Sequence, residues 1–337
     1  MKGRPATIMV LGGFFLITVA LMAIAVGSAP ISIGEVIDIV LAGPANTDQT
    51  NHGEIVWSLR LPRICLAALV GLGLSVSGAA LQGLFHNPLA DPYVIGIASG
   101  GALGAALALT LMGSGIAVAG GVPVGAMIGA LAAGFLVYRI ALGASGLTTS
   151  GVLLAGLAVG LTCSAALSGV LIAAEEQAGN IVGWLMGNLG GNGWREVGWV
   201  GCCTLIGLVM LLPRIRDLDV LLLGEESAQA IGVDTARARL YILGSASILV
   251  AGAVAFCGLI GFVGIMVPHF TRMLLGARHR WLIPGSALFG AAFLIAADTA
   301  ARVAWGAQEI PVGVITGCLG GPFFIFLLKG SLTRAPS

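Results

Sequence analysis

Lysine is nearly missing from this chain. Among 337 residues there are only Lys2, after Met1, and Lys329, after Leu328. A phosphate-binding P-loop needs Gly-Lys followed by Ser or Thr, because the lysine reaches the nucleotide phosphates. No such motif exists here, so any ATP-driven step belongs to another chain. Charge of either sign is also scarce: 9% of residues are charged, against roughly 25% in soluble domains. The six cysteines (Cys65, Cys163, Cys202, Cys203, Cys257, Cys318) lie in apolar runs and form no CxxC pair. That pattern points to no disulfide framework and no zinc site. There is also no HExxH motif and no Cys/His cluster, so no metal or cofactor is expected in this chain.

What is present is apolar. Hydrophobic residues make up 58% of the sequence and the mean hydropathy is +1.03. A chain of this length cannot bury so much apolar surface in one core, so its solvent is lipid. The 53 glycines favour helices whose backbones approach closely. Gly121-x3-Gly125-x3-Gly129 and Gly156-x3-Gly160 are small-residue stripes of that kind.

Spanning a bilayer takes about 20 residues. Ten runs qualify, at roughly 6–27, 64–84, 93–112, 116–138, 150–172, 197–213, 240–257, 258–275, 282–301 and 310–328. The stretch from Leu240 to Gly276 is too long for one span and tight for two. Basic residues flank both of its ends, so it must cross twice, with the turn in the Gly258, Gly261 and Gly264 region. The expected fold is therefore all-α and polytopic, with ten transmembrane helices and both termini on one side. Placing the termini in the cytoplasm leaves 12 Lys and Arg inside and four outside (Arg60, Arg63, Arg195, Arg302), which satisfies the positive-inside rule. The longest outer loop, Ser28 to Leu59, contains Ser32-x-x-Glu35, a capping-box pattern, before an amphipathic helix at the interface. No separate domain is visible; residues 1–337 read as a single membrane domain. Spans 2–5 and 7–10 enter from opposite sides, so any repeat relating them is inverted. No basic tail or patch calls for nucleic acid.

Two features speak against chemistry or ion coupling in the membrane. Few ionisable groups lie within spans; Asp298 and His269 stand out, both toward span ends, and Asp298 is placed to pair with Arg302 at i,i+4. Gly143-Ala-Ser145-Gly146 matches a short intramembrane-protease string, but it lies in a loop and has no histidine base nearby. A secondary transporter would need a midplane ion site, and a membrane enzyme would need a nucleophile–base pair; neither is found.

One polar island breaks the oil. Residues 214–239 hold four Arg, three Asp and two Glu. Glu225, Glu226 and Ser227 sit where a helix N-terminus favours acids, and Gly232 fits a helix stop. A helix of about two turns is marginal alone in water, so it makes sense packed into a partner's groove.

Further motifs surround this island. Arg60-Leu-Pro-Arg63, the run LVGLGLSVSGAALQGLFHNPLADPYVIGIASGGALGA, GEESAQAIGV, GLIGFVGIMVPHFTR, Ile283-Pro-Gly and Ile310-Pro-Val-Gly-Val occur in an order and spacing that resembles the FecCD family, the permease subunits of ABC importers for iron-siderophores, haem and cobalamin. The resemblance runs from about residue 55 to 330. It implies a type II ABC importer permease fold in the bacterial inner membrane and a pairing with a second copy. It also implies two cytoplasmic ATPase subunits carrying ATP and Mg, and a periplasmic substrate-binding protein. On this basis Glu225, Glu226, Ser227, Ala228, Ile231 and Gly232 correspond to the coupling helix that docks in the ATPase. Arg60, Arg63 and Arg302 correspond to sockets for acidic residues of the binding protein, with lipid-headgroup anchoring as the other reading. Thr149 and Ser150 fall at the family's cytoplasmic gate, although simple N-capping of span 5 also fits them. Spans 5 and 10 line the path. The cargo implied is an iron chelate, siderophore or haem, with cobalamin as the alternative.

Overall fold

The computed structural model describes residues 4–27, 31–44, 51–143, 146–305 and 309–332; Lys2, Ser145 and Arg334 lie outside them. The chain is helical, in the order α1 (Arg4–Ala25), α2 (Ile33–Ala42), α3 (Asn51–Glu54), α4 (Leu61–Leu84), α5 (Ile97–Gly113), α6 (Gly121–Ala141), α7 (Thr149–Ala173), α8 (Ala178–Leu185), α9 (Trp194–Leu211), α10 (Ile215–Leu221), α11 (Glu225–Ala230), α12 (Thr235–Cys257), α13 (Val263–Leu275), α14 (His279–Val303) and α15 (Val312–Leu332). A wide-turned segment, Ile55–Arg60, joins α3 to α4. A minimal antiparallel hairpin pairs Leu142 with Leu147 and Gly143 with Gly146 before α7.

Each of the ten expected spans contains one apolar helix. Among the described residues, seven are long and apolar enough to cross a membrane, and three stretches are shorter: α5, α13 and Val312–Ile325 of α15. The eighth expected span, 258–275, is corrected. Its helix α13 begins only at Val263 and has 13 residues, about 20 Å of rise, because residues 258–262 form the turn. The third span is also trimmed, since residues 92–95 form a 3-10 turn before α5.

Helix α4 is the hub. It is buried along most of its length and packs against α14, α12, α13 and α9. Its glycines weaken the isolated helix but allow backbones to touch. A methyl group on Gly71 would overlap the Gly290 carbonyl, and one on Gly78 would overlap the Gly264 carbonyl. The stripe read from the sequence works in the same way, with Gly125 and Gly129 of α6 lying against Gly104 and Gly100 of α5. At Gly156, α7 meets the backbone of Val94 and Ile95.

That last contact places residues 92–96 inside the bundle. The chain leaves α4 at Leu84 and then turns back among the helices. Asn87 Oδ1 accepts from Leu89 N at 2.9 Å, and Asp91 Oδ1 accepts from Tyr93 N at 2.9 Å. Tyr93 then reaches the break between α12 and α13. Its hydroxyl accepts from Ile260 N at 2.8 Å and donates to Ile260 O at 2.9 Å. Non-helical backbone is tolerated at membrane depth only where protein buries and satisfies it, and here a single phenol satisfies both groups of Ile260.

The outer-loop helix α2 forms as read. Ser32 Oγ accepts from Glu35 N at 3.3 Å. The reciprocal half of the expected capping box is replaced, because the Glu35 carboxylate pairs with His52 Nδ1 at 2.6 Å. Helix α8 carries no sequence expectation; it is one amphipathic turn pair, pinned by buried Ile181.

Candidate functional site

The polar island folds into two short helices at one end of the bundle. Helix α10 faces inward through Leu218 and Leu221, both buried. Gly224, at φ +98, redirects the chain into α11. There Ala228 alone points back into the protein, while Glu225, Glu226 and Ser227 are exposed. Ile231 follows as the C-cap, and Leu223 and Ile231 are exposed apolar side chains. Gly232 N bonds Gln229 O at 2.9 Å and Val233 N bonds Ala228 O at 3.0 Å, a Schellman closure. Gly232 is thus the helix stop expected from the sequence.

Several polar contacts hold this exposed segment to the bundle. Glu225 Oε2 accepts from Arg239 Nη2 of α12 at 2.8 Å, and the hydrogen bond from the Arg239 guanidinium keeps its carboxyl below the usual range. Arg214 pairs with Asp217 at 3.2 Å and lies over the Tyr241 ring at 4.7 Å. Asp219 accepts from both the backbone N and Nδ1 of His279, the first residue of α14, at 2.9 and 2.7 Å. His86 Nε2 donates to Leu221 O at 2.7 Å. Asp219 and His86 carried no functional reading in the sequence, because their partners lie far along the chain.

Thr149 and Ser150 open α7. Along α6, Ala126 lies level with Val254 and Gly134 with Ser247, so α6 descends toward Thr235 and α7 starts at the end occupied by α11. The capping alternative is corrected: the N-cap is Thr148, whose Oγ1 accepts from Gly151 N at 3.1 Å. Thr149 is half-buried and Ser150 is exposed, and neither hydroxyl is used as the cap.

At the opposite end the three arginines read as sockets are drawn into the protein. Arg63 binds Asp298 through Nε and Nη2 at 2.9 Å, and Glu309 through Nη1 at 2.8 Å. Asp298 is 2% exposed and Glu309 is 48% exposed. The expected Asp298–Arg302 pair exists at 3.5 Å, but it is the looser of the two. Arg302 also donates to Ala23 O at 2.9 Å. Arg60 is buried and donates to Ile24 O, and to Ala25 O at 3.2 Å. The lone acid in hydrocarbon seen from the sequence is in fact the centre of an ionic cluster joining α1, α4, α14 and the approach to α15. Buried charges of this kind persist only when paired and hydrogen-bonded.

The model of the FecCD transport family matches residues 15–330. The chain belongs to the FecCD transport family. Among its relatives, this FecCD protein is 45% identical over 281 residues to the cobalamin import system permease BtuC of Halobacterium salinarum, covering 83% of this chain and 75% of that protein. It is 39% identical over 333 residues to the hemin transport system permease HmuU of Yersinia pestis, covering 97% of each. A solved inward-facing metal-chelate type ABC transporter superposes with a TM-score of 0.85 at 30% identity, over 96% of this chain and 99% of that one. The chain is an ABC importer permease of all-α polytopic architecture.

Proposed function

We propose that this permease carries a bulky metal chelate inward across the bacterial inner membrane, driven by ATPase subunits that grip α11. The observation that carries this reading is the build of the α10–α11 segment. It offers Glu226, Ser227, Leu223 and Ile231 outward while Glu225, Asp219 and the Leu221 carbonyl bind it to α12, α14 and the turn after α4. Such a part receives a push and delivers it to the bundle. The α11 end is cytoplasmic in this reading, as are both termini, and residues 1–337 act as one membrane domain. The protein works as a homodimer with two ATPases that hold ATP and Mg, and α7 and α15 line the path. Thr149 and Ser150 narrow its inner mouth.

The cluster around Arg63 is then the periplasmic docking point for the substrate-binding protein. Of the three arginines, this reading assigns docking first to Arg63: Arg60 and Arg302 bind backbone carbonyls of α1, whereas Arg63 turns one edge outward to an exposed carboxylate. An iron chelate, haem or siderophore, is the first reading of the cargo, supported by the full-length likeness to the hemin permease. Cobalamin is the second, favoured by the 45% identity to the cobalamin permease.

The test is Glu226→Arg in the reconstituted complex. It leaves the Glu225–Arg239 pair intact, so the permease should stay folded while transport falls at least tenfold. Full uptake with the ATPase still bound would refute the docking role of α11. Uptake of haem, a ferric siderophore and cobalamin by the same proteoliposomes assigns the cargo.

A further inference from the structure

The Arg63 guanidinium has two unlike edges. Asp298 holds Nε and Nη2 from the buried side. Glu309 holds Nη1 from the exposed side, through a side chain that is half in solvent. The buried contact is a fork that fixes the plane of the guanidinium. The exposed contact is a single bond, which water and other carboxylates can reach. Gly190 walls this pair: a Cβ there would lie 3.4 Å from Arg63 Nη1 and 3.5 Å from Glu309 Oε2. With no side chain at 190, only backbone stands beside the Arg63–Glu309 bond, with Asn188 Oδ1 3.2 Å from the same Cβ position. Arg63 and Arg302 face the two acids of this cluster, and Arg60 binds the carbonyls that end α1.

We propose that Glu309 is an exchangeable internal carboxylate, holding the Arg63 edge that a carboxylate of the binding protein takes on docking. This rests on the reading of Arg63 as the docking arginine. Glu309 stands three residues before α15, and Ile310 N bonds Ala301 O at 3.2 Å in the connection between α14 and α15. Its displacement therefore loosens the first turn of a path-lining helix when, and only when, the partner is seated. Asp298 stays in place throughout and keeps Arg63 aimed.

The experiment measures the affinity of the system's own substrate-binding protein, purified without cargo, for the permease–ATPase complex in nanodiscs at low salt. Glu309→Gln removes the competitor and should tighten binding at least threefold. Arg237→Gln removes an exposed charge at the α11 end, opposite Arg63, and should change it less than 1.5-fold. Arg63→Gln should weaken binding at least tenfold, and adding Glu309→Gln to it should give no further gain. If Arg63→Gln weakens binding while Glu309→Gln leaves it unchanged or lowers it, the exchange is overturned and the docking reading stands. If Arg63→Gln has no effect, with its melting temperature unchanged, the docking reading falls and the exchange falls with it. The α15 step is read separately, from maleimide labelling of exposed Cys318 with the other five cysteines replaced. Docking should change the labelling rate at least twofold, and Glu309→Gln should reproduce that change without the partner. Equal rates in all states would overturn the link to α15.

Discussion

Replacing Tyr93 by Phe removes one oxygen and leaves two backbone groups stranded. Ile260 is 2% exposed, and its N and O both bond the Tyr93 hydroxyl, at 2.8 and 2.9 Å. A buried polar group without a partner costs about 1–3 kcal/mol. Two such groups, less the relief of no longer burying the phenol, amount to about 2–5 kcal/mol. The ring fills the same space, so no cavity contributes. Unfolding the purified permease by titrating mixed micelles with SDS should show this loss as an earlier midpoint. Tyr138→Phe is the control, because the hydroxyl of that half-buried tyrosine has no hydrogen bond among the described residues. A loss below about 0.5 kcal/mol, within the scatter of ordinary surface substitutions, would refute the claim that one phenol satisfies the break.

Two further outcomes follow from the same architecture. Gly78→Ala should destabilise the permease by several kcal/mol, since its methyl meets the Gly264 backbone, which cannot yield as a side chain would; Gly73→Ala, whose nearest neighbour stands 3.6 Å away, should be neutral or gain up to about 1 kcal/mol from helix propensity. Comparing the two in the same micelles checks this. Asp91→Asn keeps the acceptor for Tyr93 N and removes a carboxyl that burial pushes up to about 6. Because the folded value lies above the unfolded one, the stability linked to Asp91 is full below about pH 4 and is lost as pH rises through 6. The variant should therefore match the wild type at pH 4 and gain up to about 3 kcal/mol at pH 7.5, and thermal midpoints at the two pH values decide it.

What the sequence displays and what it hides divides by range. Ten apolar runs, the Gly232 stop and the Ser32 cap are local signals, and all appear in the fold. The Asp298–Arg302 pair was visible because i,i+4 neighbours share a helix face. The tighter Arg63–Asp298 fork spans 235 positions, and no pattern of one chain announces it. The same holds for Tyr93 and Ile260, 167 positions apart. Flanking basic residues and glycines placed a turn in the Gly258, Gly261 and Gly264 region but gave no sign that it is buried, since loops ordinarily run over the surface. Helix α8 escaped because a single amphipathic turn pair is too short to establish a period. The N-cap of α7 reads as Thr149 or Ser150 in the sequence, because adjacent hydroxyls look alike until the dihedral angles place the cap at Thr148.

The buried break matters most for how a push would travel. Helix α10 packs on α4, α12 and α14, and α11 packs on α10 and α12, so in the proposed reading force from an ATPase on α11 would enter the block built around α4. The path, in the proposed reading, lies along α7 and α15. Two irregular segments connect the block to them. Residues 92–96 leave α4 and seat their backbone against Gly156 and Gly160 of α7. Residues 257–262 end α12 and seat against α15, where Gly313 meets the Leu259 carbonyl and Gly320 lies under the Phe262 ring. Phe262 adopts φ +67, a backbone state that costs a non-glycine residue about 1–2 kcal/mol and persists because the surrounding packing fixes it. Tyr93 ties these two segments to each other. A helix carries force along its axis, and this joint is one sideways route from hub to path, beside the direct contacts of α15 with α13 and α14 and of α7 with α5 and α6. Tyr93→Phe should accordingly do more than lower stability. In complexes that remain assembled, it should let ATP hydrolysis continue while transport falls, because the two path helices would no longer move in step.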